Sequence, residues 1–228
     1  MKSLAPTDEN GFTLIELLIV ISIIVILMGL LFPAFKGVQD QAKRTQAKND
    51  LTQIVTAVNA FYTEYGRYPT TATTDATATY GPASSNANSA VFNELRGVSS
   101  ALNTRQIVFI SPPDVKDPNA PRSGIASKST TVNGISAGPG DYVDPWGTPY
   151  NLEMDADYTN QIETNPYPDT DGSAGATPLR LGVISWSYGK DQTKGTKGGS
   201  SAALYFGSFV LVAPQLESAS CAFFTSSS

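Results

Sequence analysis

The stretch from Phe12 to Phe32 is apolar except for Thr13, Glu16, Ser22 and Gly29. A helix of about 21 residues rises roughly 31 Å at 1.5 Å per residue, close to the hydrocarbon thickness of a bilayer. Glu16 is the one ionisable side chain in the run. A carboxylate at that depth costs on the order of a few kcal/mol, so by default it marks a function. An ordinary secretory signal puts its small-residue cleavage site after the apolar region, whereas Gly11 comes before it. Hydropathy alone therefore reads as an uncleaved membrane anchor.

Composition removes several classes of function. The 228-residue chain has 15 Lys and Arg against 20 Asp and Glu, a net charge of -5. Binding to nucleic acid through phosphates needs a positive surface and is not expected. The chain has no histidine, which excludes a Ser-His-Asp triad, a Cys-His dyad and a histidine-ligated zinc site. Cys221 is the only cysteine and cannot close an intramolecular disulfide. No enzyme activity is expected.

The ten residues Gly11-Phe12-Thr13-Leu14-Ile15-Glu16-Leu17-Leu18-Ile19-Val20 resemble the processing site of type IV pilin-like proteins, including the pseudopilins of type II secretion. The resemblance implies cleavage after Gly11 by prepilin peptidase and N-methylation of the new amino terminus, Phe12. Glu16 then becomes the fifth mature residue, and Phe12, Thr13 and Glu16 form the assembly site. Physics supports that division of roles. Cleavage creates a positive amino group one helical turn from Glu16. In a packed filament Glu16 pairs with the amino group of a neighbour, and the cost of an unpaired buried charge sets subunit register. The leader departs from the family's basic pattern, with Lys2 against Asp8 and Glu9. Lys36, Lys43, Arg44 and Lys48 lie beyond the apolar run, which by the positive-inside rule alone puts the rest of the chain in the cytoplasm. The processing motif is the more specific signal and is preferred.

Gly29 and Pro33 predict a break near the end of the apolar run, because proline removes a helical hydrogen bond and clashes with the preceding turn. Beyond Val38, residues Ala47, Leu51, Ile54, Val58, Phe61, Tyr62 and Tyr65 recur at three- and four-residue spacings, one apolar face of an amphipathic helix. Gly66 and Pro69 end it. The helix is expected over residues 12–65, and Phe61–Thr70 resembles the helix exit of major pseudopilins.

In the head, residues 70–90 read as a low-complexity connection, Val91–Leu102 as a short helix, Gln106–Ile110 as a strand and residues 114–140 as loop. Asp144-Pro145-Trp146-Gly147-Thr148-Pro149-Tyr150 reads as an aromatic turn that opens a sheet. Tyr150–Ile162, Leu179–Tyr188 and Tyr205–Val212 are expected as antiparallel strands. The resemblance brings in calcium, which the loop after the last core strand binds in major pseudopilins. Here that loop holds three lysines and Asp191, a poor site for a hard cation. Asp155, Asp157, Thr159 and Gln161 alternate oxygen ligands, as do Asp169, Asp171 and Ser173. The preferred reading is solvated turn carboxylates; the candidate metal ligands are Asp155, Asp157 and Asp191, and no cofactor is required.

The expected fold is α+β and pilin-like: one long N-terminal helix packed on a small antiparallel sheet. Its parts are a leader (1–11), an apolar half-helix (12–33), an amphipathic half-helix (34–66) and a β-rich head (67–228). The expected function is that of a pseudopilus subunit, anchored in the inner membrane with a periplasmic head and then polymerised. Its implied partners are copies of itself, prepilin peptidase/methyltransferase, an inner-membrane assembly platform with its ATPase, and minor pseudopilins. A type IV pilin for adhesion, motility or DNA uptake, or an anchored periplasmic protein, are the alternatives.

Overall fold

Helix α1 runs from Leu14 to Tyr65 in a computed structural model that describes residues 13–163, 177–192 and 209–212. The chain divides into two units, residues 1–42 and 43–228. In the first unit the apolar side chains from Leu14 to Met28 are exposed, from 46% at Ile24 to 87% at Leu14. Only Glu16 and Ser22 interrupt them, so every face of this part of the helix carries apolar side chains. Gly29 and Pro33 both lie inside α1, which continues across them as helix rather than ending or unwinding.

In the second unit, α1 turns one face inward. Leu51, Ile54, Val55, Val58 and Phe61 follow the 3.6-residue period and are buried. They pack against Tyr80, Val91, Phe92, Leu95, Tyr150, Leu152 and Met154 in the main core. The helix ends where Gly66, at φ 65°, adopts the left-handed conformation that a helix C-terminus favours. Gly66 N donates to Tyr62 O at 2.7 Å.

Four antiparallel strands form the sheet in the order β1-β6-β7-β8. These are Thr79–Tyr80, Asn151–Met154, Val183–Ser187 and Phe209–Val212. Register follows the two-residue period. Leu152 and Met154 oppose Ser185 and Val183, and Leu152, Met154 and Val183 join the helix-side core. On the other face, Ile184 and Trp186 of β7 pack with Ile162, Leu179 and Tyr188. The sheet therefore has apolar layers on both sides. This is the expected α+β arrangement.

Several local expectations differ. Helix α2 is Ser89–Leu95, shorter than Val91–Leu102, because the chain turns at Arg96 and Gly97 (φ 69°). Gln106–Ile110 is not a strand. Asn103 clamps the segment instead: its Oδ1 accepts from Ile107 N at 2.9 Å and its Nδ2 donates to Ile107 O at 2.7 Å. Residues 114–140 are not all loop. They contain β2 (Gly124–Ile125), paired with β5 (Tyr142–Val143), and the hairpin β3 (Thr130–Val132) to β4 (Ile135–Ala137). Residues 70–90 hold a 3-10 turn, Asp75–Ala78, followed by the edge strand β1.

The Asp144–Tyr150 turn is a knot of hydrogen bonds. Asp144 Oδ1 accepts backbone N–H bonds from Trp146, Gly147 and Thr148 at 2.9, 2.8 and 3.0 Å. Its Oδ2 accepts from Thr148 Oγ1 at 2.7 Å and Ser187 Oγ at 2.5 Å. One buried carboxylate thus fixes the turn and ties it to β7, as expected of an Asp turn at the head of a sheet.

Candidate functional site

Gly11 and Phe12 lie outside the described residues. The first described residue, Thr13, is hydrogen-bonded to Glu16. Thr13 N donates to Glu16 Oε2 at 2.8 Å, and Thr13 Oγ1 donates to the same oxygen at 2.7 Å. Glu16 N donates back to Thr13 Oγ1 at 3.3 Å. This is a capping box, the reciprocal satisfaction of helix-end donors by a Thr-x-x-Glu sequence. The carboxylate is folded back on the first turn of α1 rather than splayed among the apolar side chains. Thr13 and Glu16 are brought together as a pair, and their three-residue spacing is the sequence signal for it.

Beyond this cap comes the apolar surface of Leu14–Met28. A helix apolar on all sides needs a non-aqueous surrounding or other copies around it. Among the described residues no helix is long and apolar enough to cross a membrane. The described side chains from Leu14 to Gly29 make roughly 16 residues, about 24 Å of helix against about 30 Å of hydrocarbon. The apolar run of the sequence continues to Phe32.

A second group of chemical side chains sits in the head. Carboxylate oxygens of Asp75, Asp155 and Asp157 all lie within 4.8 Å of one another. Asp155 and Asp157 are two of the three candidate ligands named from the sequence, where solvated turn carboxylates are the preferred reading. Asp75 is not among them, because it comes from the Thr- and Ala-rich stretch 80 residues upstream, and nothing in its local sequence points to β6. It is brought there by its own backbone bonds: its Oδ1 accepts from Ala156 N at 2.9 Å and its Oδ2 from Glu163 N at 3.2 Å. Asp191 ends the 3-10 turn Gly189–Asp191, and its side chain is not among those described. Asp169, Asp171 and Ser173 lie outside the described residues.

Asp155 is buried and Asp157 exposed. Burial first, then the hydrogen bond with Asp157 and the charge of Asp75, together push the Asp155 carboxyl up to about 6 against the pull of Asn160 N–H and Thr159 N–H. Asp157 is held below the usual carboxylate range, chiefly by a hydrogen bond from the Thr159 side chain. Such a pair can share a proton. The three carboxylates also have the oxygen chemistry of a hard-cation site, supplying three of the six to eight oxygens that calcium takes. Asp75 and Asp155 already accept backbone N–H bonds on both carboxylate oxygens. The arrangement is therefore self-consistent as a turn.

Comparison with known proteins brings the first of these sites forward. The family of the prokaryotic N-terminal methylation motif matches residues 7–32. The chain is 45% identical over 60 residues to the type IV major pilin protein PilA of Myxococcus xanthus, covering 26% of this chain and 27% of that protein. It is 40% identical over 64 residues to the type II secretion system core protein G of Pseudomonas aeruginosa, and 36% identical over 64 residues to that of Klebsiella michiganensis. Each of those matches covers 28% of this chain and 45% of the relative. The chain thus spans less than half the length of the curated relatives it matches. No solved structure matches.

Proposed function

We propose that this protein is a structural subunit of a type II secretion pseudopilus. The observation that carries the reading is the methylation motif over residues 7–32, which puts the Thr13–Glu16 cap at the head of a helix apolar on every face. In this reading prepilin peptidase cuts between Gly11 and Phe12, and the amino group of Phe12 is methylated. The apolar half of α1 anchors the subunit in the inner membrane, with the head on the periplasmic side. An assembly platform and its ATPase then transfer the subunit into a helical filament whose centre is built from apolar stems, with minor pseudopilins at its end. No enzyme activity, cofactor or nucleic-acid partner is needed.

Thr13 and Glu16 have distinct parts in that transfer. An isolated carboxylate among apolar groups is expensive. The Thr13 hydroxyl and N–H hold it until a neighbour's Phe12 amino group replaces them. Gly29 and Pro33 give the stem a weak point for the helix adjustments that packing demands. Exchange of Glu16 for Ala is expected to leave membrane insertion intact and to abolish filament growth. Normal filaments from Glu16→Ala would contradict the reading.

A second reading, a type IV pilin, is favoured by the match to the Myxococcus xanthus pilin. The two readings part in a deletion strain. Loss of exported proteins supports the pseudopilus, and loss of surface filaments with export unchanged supports the pilin.

A further inference from the structure

Three tyrosines make a surface patch at the end of α1. Tyr62 is on the helix, Tyr68 follows its end and Tyr158 lies in the turn after β6. Ring centroids are 4.8 Å apart for Tyr62 and Tyr68, 5.8 Å for Tyr68 and Tyr158, and 6.4 Å for Tyr62 and Tyr158. Tyr68 is buried beneath, whereas Tyr62 is 40% and Tyr158 48% exposed. Core packing accounts for Tyr68 alone; the other two are partly open to solvent.

The turn presents Tyr158 at some conformational cost. Its φ of 60° lies in the left-handed region, unusual for a large side chain. Asp155 enforces that turn, accepting Thr159 N at 3.0 Å and Asn160 N at 2.8 Å on its two oxygens. The Tyr158 hydroxyl accepts from Tyr68 N at 3.4 Å, which fixes the ring over Tyr68. The carboxylate cluster of Asp75, Asp155 and Asp157 lies on one side of the patch, at the Tyr158 turn. Asp157 is the exposed neighbour of Tyr158. Burial raises the Tyr68 hydroxyl's affinity for its proton, and the negative charges of Asp155 and Asp75 add to it.

Partly exposed tyrosine rings with an exposed carboxylate beside them suit an ammonium or guanidinium group. The chain itself carries such groups in concentrated form. Of its 15 cationic residues, Lys36, Lys43, Arg44 and Lys48 fall within one short stretch of α1, where Asp40 is the only acidic residue before Asp50. Lys36 is exposed and Lys43 half-exposed. We propose that the Tyr62–Tyr68–Tyr158 patch, with Asp157 at its rim, is an interface between copies that receives Lys36 and Lys43 from α1 of a second copy. This inference rests on the filament reading and adds to it a contact outside the apolar stems.

Charge exchange in the full chain, expressed in a host that assembles the filament, tests it. Filaments from the unaltered chain come first, because their absence would sink the filament reading itself. Given those filaments, Asp157→Lys and Lys43→Asp are each expected to lower sheared filament yield by about two- to fivefold, the range that a surface cation–π contact supports. The double variant is expected to recover part of it, because the ion pair between positions 157 and 43 re-forms with its signs exchanged while the ring faces still favour a cation. Cysteines replacing Asp157 and Lys43, in a Cys221→Ser background, are expected to form disulfide-linked multimers only after assembly. Unchanged yield from both single variants, no recovery in the double variant, or no cross-linked multimers would overturn the proposal. So would a yield that follows added calcium and ignores the lysine charge.

Discussion

The Tyr150 hydroxyl donates a 2.7 Å hydrogen bond to Asp50 Oδ2 across 100 residues of sequence. Asp50 lies on α1 and Tyr150 immediately precedes β6, so the bond ties the helix to the entrance of the sheet inside the second unit. Both side chains are buried. Tyr150→Phe keeps the ring in the core but removes the donor, leaving a buried carboxyl short of a partner. The expected loss is about 1–3 kcal/mol, read as a lower midpoint in denaturant with unchanged slope. An unchanged midpoint would mean that water replaces the hydroxyl.

Stability should depend on pH with one dominant sign. Burial raises the carboxyls of Asp50 and Asp144, the latter against its hydrogen-bond donors, and pushes Asp155 up to about 6. A folded-state value above the unfolded one, about 3.9 for Asp, means that folding takes up protons. For Asp155 the stabilisation is complete below about pH 4 and is lost as pH rises to about 6, and Asp50 and Asp144 act with the same sign. Thermal melts of the detergent-solubilised chain are expected to fall in midpoint from pH 4.5 to pH 7.5. Asp155→Asn should flatten the part of that fall that lies between about pH 4 and pH 6. A midpoint that climbs over this range would contradict the assignment.

The knot around Asp144 makes Gly147 irreplaceable. Gly147 has φ 101°, and a Cβ there would come 2.8 Å from Pro121 O. Gly147→Ala combines a strained backbone with a backbone clash, and a loss of about 2–4 kcal/mol is expected. Ser187→Ala removes one of two hydroxyl donors to Asp144 and should cost about 1–2 kcal/mol. Circular dichroism melts check both, and a smaller effect of Gly147→Ala than of Ser187→Ala would contradict the geometry.

Apolar residues on the two parts of α1 should fail in different assays. Phe61 is fully buried against the head, and Phe61→Ala is expected to destabilise it by about 3–5 kcal/mol. Leu18 is 61% exposed, so Leu18→Ala should leave the melt of the solubilised chain unchanged and reduce filament assembly. Equal melting losses from the two variants would contradict the division between stem and head.

The long helix was readable because two independent codes agree on it: a continuous apolar run, then a three- and four-residue stripe from Leu51 to Phe61. Its end at Tyr65 was legible from Gly66. The Asp144 turn was legible from Asp-Pro and Gly, and strands β6 and β7 from their apolar content, though both are shorter than the apolar letters suggested. What stayed hidden depends on distant partners. Thr79 and Tyr80 form an edge strand only because β6 offers them Glu153 and Leu152. Asp75 joins Asp155 and Asp157 only through backbone donors at Ala156 and Glu163. Conversely, Gln106–Ile110 has strand-like letters, but Asn103 and Leu95 O take its backbone bonds. Local sequence carries the helix cap of Thr13 and Glu16, because a capping box is local; it cannot carry the acidic cluster.

The central claim is that the membrane-extracted protein is a processed, methylated subunit. Intact-mass and N-terminal peptide mass spectrometry of that protein test it most directly. The account predicts a chain that begins at Phe12, lacks residues 1–11 and carries one methyl group on its amino nitrogen. A membrane-extracted chain that retains Met1 and Gly11 would contradict it.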